Sequence, residues 1–228
     1  MKWFDSIFTS KKTVVESVTT SKPLEISIEP DTPQPFGYKL GWLVVKEENP
    51  EEVMKKIGCE EIRVSNWESA FKTIFAFKTM VEEKDVFVTP CFDGYIAILN
   101  VVDLFAYEER LNEIVSSFEE VQYFESHRVV DLSCWARYYG GKINRRYCYV
   151  GEQGRTYWND GELTKEEIDL HLNNLPGVDC EELDNWDDWD FPDEEVVRNI
   201  AAQWGIDPSL DKYQNSKSTG YLCKLRLG

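Results

Sequence analysis

The chain has 228 residues, 42% apolar and 14% aromatic, which is the composition of a folded protein long enough to bury a core in one large or two small domains. Its 42 acidic against 25 basic side chains give a net charge of -17, a field that repels nucleic acid and anionic lipid and attracts cations and basic proteins. No run of 18 apolar residues occurs, so no helix is expected to span a membrane, and "MKWFDSIF" is too short and polar for a secretory leader.

Residues 1–35 read as an N-terminal arm and linker. Trp3, Phe4, Ile7 and Phe8 line one side of a short helix expected to dock on the body, "LEISI" is a candidate edge strand, and "EPDTPQP" closes the segment. A globular domain is expected over 36–228, with a sub-boundary near 119. It opens with the buried strand "GWLVVK". In "NPEEVMKKIG", Asn49 is the N-cap, Pro50 the first helical residue, Glu52 holds the capping-box place and Gly58 the stop. "VFVTPCFDGYIAILN" gives two strands about an Asp93-Gly94 turn, and Pro90 marks the first as edge or bulged.

Leu104, Tyr107, Leu111, Ile114 and Phe118 recur at helical spacing in "DLFAYEERLNEIVSSF". "EVQYFESHRVVDL", "CWARYY", "KINRRYCYV" and "RTYWNDG" are strands, the middle two turning at Gly140-Gly141. Thr164 and Glu167 form a capping box for "TKEEIDLHL". The last helix starts about Asp193, carries Val196, Val197, Ile200, Ala201 and Trp204 on one side, and stops at Gly205. "GYLCKLRL" ends the chain as a strand. The sum is α+β, a mainly antiparallel sheet built from hairpins with three to four interspersed helices.

Cys59, Cys91, Cys134, Cys148, Cys180 and Cys223 are scattered, with no C-x-x-C pair and no grouping with the two histidines. That pattern points to reduced thiols in a cytoplasmic protein, with no zinc site and no cofactor. Alternation places Tyr123, Glu125, His127 and Val129 on one side of a strand. A pocket around His127 and Arg137, with Glu125 beside it and Cys134 nearby, is the enzymatic or small-molecule alternative, but no nucleophile elbow or protease signature accompanies it. His171 falls in a charged helix and reads as exposed. "GGK" at 140–142 lacks the flanking residues of a phosphate loop. Arg128, Arg137, Lys142, Arg145 and Arg146 are interleaved with Trp135, Tyr138, Tyr139 and Tyr147. These form either an anion platform or an internal set that neutralises the acidic segment and stacks on aromatic rings; the overall field favours the second.

The acidity is local. Residues 166–197 hold 13 of the acids and no lysine or arginine, leaving 29 acids against 25 bases elsewhere. Within them "CEELDNWDDWDFPDEE" surrounds Trp186 and Trp189 with Asp184, Asp187, Asp188 and Asp190. An EF-hand template fails here because its sixth place, which needs glycine for the sharp turn, is Trp189. Asp193, Glu194 and Glu195 suit the first turn of a helix. The rest is either a solvated loop with its indoles turned inward or a surface that attracts at long range and anchors with large rings.

"NPEEVMKKIG", "VFVTPCFDGYIAILN", "EVQYFESHRVVDLSCWAR", "TYWNDGELTKEE" and "FPDEEVVRNIAAQWGIDP" together resemble a group of uncharacterised bacterial proteins over residues 36–210. The resemblance implies a bacterial origin and a shared fold. By analogy with small acidic proteins that neutralise secreted toxins, the expected function is non-enzymatic capture of a basic protein partner through Asp184, Trp186, Asp187, Asp188, Trp189 and Asp190.

Overall fold

Short segments in which apolar and polar side chains alternate assemble into one large sheet, because each strand can then bury a face. The computed structural model describes residues 25–76, 83–178 and 188–227. The strands are β1 (Leu40–Lys46), β2 (Glu60–Asn66), β3 (Glu83–Val88), β4 (Tyr95–Leu99), β5 (Glu120–His127), β6 (Leu132–Tyr139), β7 (Lys142–Val150), β8 (Arg155–Asp160) and β9 (Thr219–Arg226). They lie in the order β2-β9-β3-β4-β1-β5-β6-β7-β8, antiparallel throughout. Five α-helices complete the α+β fold: α1 (Pro50–Lys56), α2 (Trp67–Ile74), α3 (Glu108–Val115), α4 (Lys165–Asp169) and α5 (Glu194–Trp204).

Both faces of the sheet are covered. On one, α1 and α3 set Val53, Met54, Leu111 and Ile114 over Leu43, Val45, Ile96 and Val121. On the other, α2 and α5 set Ala70, Ile74, Val197 and Ile200 over Trp42, Val44, Phe124 and Trp135. We call these the α3 face and the α5 face. Trp42 stacks on Phe124 at 5.2 Å, and burying each such side chain stabilises by about 1.5–3 kcal/mol. Where the chain crosses β1, Val101 N donates to Gly41 O at 2.8 Å; a Cβ on Gly41 would sit 2.5 Å from Val101 O, so this crossing requires glycine.

Several expectations are corrected. Strand β1 pairs with β4 on one side and β5 on the other, so the sheet runs unbroken past 119. β3 is interior, between β9 and β4, and Pro90 lies beyond its end. The helix read from Leu104 divides at Tyr107 (φ -113, ψ 58) into a 3₁₀ turn and α3. Asn49 caps α1 by accepting from Glu51 N, and Asn66, not noticed in the sequence, caps α2 from Ser69 N. "LEISI" makes no strand in its described part; instead Ser27 O accepts from Asn66 N, and the Asp31 carboxylate accepts from Trp67 N and Glu68 N at 2.7 and 2.9 Å. Trp3, Phe4, Ile7 and Phe8 lie outside the described residues. Among those described, no helix is long and apolar enough to cross a membrane.

Candidate functional site

Where it is described, the connection from α4 to α5 packs on the α5 face, and residues 188–193 are pinned at several points. Asn174 N donates to Asp190 Oδ2 at 2.7 Å, and its side-chain amide donates to Asp188 O at 2.5 Å. Phe191 packs on Tyr149 with ring centroids 5.4 Å apart, and Ser133 Oγ donates to Pro192 O at 2.9 Å. The segment then enters α5 through Asp193, whose carboxylate accepts from Val196 N as the N-cap.

This clamp fixes how the acids are presented. Trp189 is half-buried, with its indole N–H turned inside and no acceptor among the described residues. Asp188, Asp193 and Glu195 are exposed; Asp190 and Glu194 are half-buried and bonded internally. A groove of about 320 Å³ continues the patch, lined among others by Tyr38, Arg128, Asp131, Asp193, Glu194 and Glu195. Four carboxylates line it against Arg128, and Arg198 pairs with Glu195 at 3.1 Å, so the groove keeps the sign of the segment. Asp184, Trp186 and Asp187 lie outside the described residues.

Arg137, Arg145 and Arg146 of the β6–β7 hairpin are internally engaged, but only Arg145 meets a described acid of residues 166–197. Arg145 is 1% exposed and Glu167 fully buried. Arg145 Nε reaches both carboxylate oxygens at 2.8 and 3.1 Å, Nη1 donates to Asn159 Oδ1, and Nη2 lies 2.8 Å from Oε1, off the hydrogen-bond line. Trp135 Nε1 and the Thr164 hydroxyl donate to the same carboxylate, so the capping box of α4 doubles as the lock on a buried ion pair. Arg137 donates to the buried Glu120 at 2.8 Å and lies over the rings of Tyr139 and Trp204. Arg146 pairs with Asp160 and Glu108 and covers Trp158.

His127, Glu125 and Arg137 do not form one pocket. Glu125 pairs in register with Cys134 on the α3 face, whereas Arg137 pairs with Gln122 and points to the α5 face. The sheet itself separates them. His127 is half-buried at the end of β5, its Nδ1 without a partner among the described residues, and Val129 lies in the following turn, exposed. His171 follows the end of α4 and is exposed.

Glu125 is nevertheless unusual. Its carboxyl accepts from Asp103 N at 3.0 and 3.1 Å and from the Tyr123 hydroxyl. Burial, aided by the Asp103 carboxylate, pushes its pKa up to about 8. The sequence marked Glu125 only by alternation; the partner Asp103 arrives through the crossing at Gly41, which leaves no local signal. No group of three or more His, Cys, Asp or Glu is placed to hold a metal ion among the described residues.

Comparison with protein-family models, curated proteins and solved structures gives no match to this chain.

Proposed function

We propose that the chain is a protein-binding module whose acidic α4–α5 connection captures a cationic protein partner, in the manner of a toxin-neutralising immunity protein. The observation that carries this reading is the pinned segment 188–195, which holds a half-buried indole among exposed carboxylates. Exposed acids that are already fixed attract at long range with little ordering cost, and an indole at the centre of such a patch supplies contact area. The internal pairing of Arg137, Arg145 and Arg146 supports the same reading from the other side, because these cations do not neutralise the patch.

The test is affinity capture with the immobilised full-length chain at low salt, repeated at about 0.5 M salt, where exposed charges are screened beyond a few ångströms. The reading expects a basic protein that is retained first and released second. Recovery that ignores salt, or partners that are not basic, would tell against it.

A further inference from the structure

Four of the six cysteines fall into two pairs that no local spacing announces. Cys59 follows Gly58 at the junction of α1 and β2, and Cys223 lies in β9, yet Cys223 Sγ donates to Cys59 Sγ across 2.7 Å. Neither backbone is free to part. Cys59 N donates to Met54 O at 2.8 Å, and Cys223 is held in register opposite Val86. A second pair, Cys134 and Cys148, sits directly opposite across β6 and β7.

Access separates the two pairs. Cys134 and Cys148 are fully buried in the core of the α3 face, whereas Cys59 is half-buried at its border and only Cys223 is enclosed. An oxidant in water reaches one sulfur of the first pair and neither of the second. We propose that Cys59 and Cys223 form a modification site, a dithiol that a hydroperoxide converts to a disulfide in the folded protein while Cys134 and Cys148 stay reduced.

Cys59 sulfur attacks the peroxide, breaking its O–O bond to give a sulfenic acid and releasing water or an alcohol. Cys223 sulfur then attacks that sulfur; the S–S bond forms as the S–O bond breaks, and the Cys223 proton leaves with the hydroxide as water. The hydrogen bond to Cys59, followed by burial, holds the Cys223 thiol well above the ordinary range, so Cys223 keeps its proton until this second step. The bridge would join the α1–β2 junction to β9 beside a groove of about 790 Å³ that Gly58, Arg226 and Leu227 help to line.

The experiment treats the reduced full-length protein with hydrogen peroxide under native conditions and maps unreduced peptides by mass spectrometry. Expected are one linked pair, Cys59–Cys223, a mass loss of two hydrogens, and a thiol titre that falls by two from the six of the chain and is restored by dithiothreitol. In Cys223→Ser, Cys59 should stop at a sulfenic acid that dimedone traps, and Cys91→Ser should leave the bridge unchanged. Over-oxidised Cys59 beside a free Cys223 in the wild type, or a bridge through any other cysteine, overturns the proposal. The wild-type map decides it even if a variant fails to fold.

Discussion

The β6–β7 hairpin and the α4–α5 connection look alike as sequence: each mixes charge of one sign with bulky rings. They differ in where the charge ends. The hairpin arginines meet Glu167, Glu120, Asp160 and Glu108, and their rings lie under guanidinium planes. The connection turns Asp188, Asp193 and Glu195 outward and keeps Trp189 only half covered. Glu195 pairs with Arg198 and Asp193 caps α5, yet both stay exposed, so charge beside aromatics is closed inside the protein in one place and open to solvent in the other.

Substitutions sharpen this contrast. Arg145→Met strands the Glu167 carboxylate in the core and should cost about 3–5 kcal/mol in denaturant unfolding, while adding Glu167→Gln, whose amide oxygen remains an acceptor for Trp135 Nε1, should recover part of it. A full loss in the double variant would mean that packing rather than charge holds α4 down. Second in size is a pH effect on the α3 face. Glu125 carries a folded pKa of about 8 against an ordinary 4.5, so the folded state binds the proton more tightly. The stability this adds is complete below pH 4.5 and is lost as pH rises toward 8, a decline of about 4 kcal/mol by pH 8. Thermal unfolding at stepped pH should show that decline in the wild type and a flatter profile in Glu125→Gln.

Arg137→Ala removes the partner of a 4%-exposed Glu120 and should cost about 1–3 kcal/mol, read from the denaturant midpoint. On the acidic side, Asp188→Asn should change stability by no more than about 0.5 kcal/mol, since its exposed carboxylate meets solvent. A large loss there would erase the distinction between the two regions.

Much of the architecture was legible because it is written locally. Gly140-Gly141 and Asp93-Gly94 both adopt positive φ at hairpin turns, and Thr164 with Glu167 makes the expected capping box. The described residues hold five helices rather than three to four, the additional one being α2, although Asn66 followed by Trp67, Ala70, Phe71 and Ile74 carries a cap and a helical stripe. β2 escaped for a different reason. As an edge strand its first five residues are exposed, and only the short alternation Ile62-Arg63-Val64-Ser65 marks "EEIRVSN" in the sequence.

The site was less legible than the fold. Glu167 was read as a cap residue and Arg145 as part of a basic cluster, but 22 positions separate them and nothing in the sequence says they meet. The grouping of His127, Glu125 and Arg137 failed on parity: each can be placed on a face within its own strand, but the register between β5 and β6 decides which faces coincide. Asp31 capping α2 and Cys59 reaching Cys223 are contacts of the same long-range kind.

Asp188 and Trp189 supply the exposed charge and the ring at the centre of the patch, and one double substitution removes both. Wild type and a Trp189→Ala/Asp188→Asn variant, each verified as folded, are immobilised and compared by quantitative mass spectrometry of what they retain at low salt. A basic protein should be enriched on the wild type at least about tenfold over the variant, equivalent to about 1.4 kcal/mol of binding energy. Equal retention of the same protein by both would contradict it.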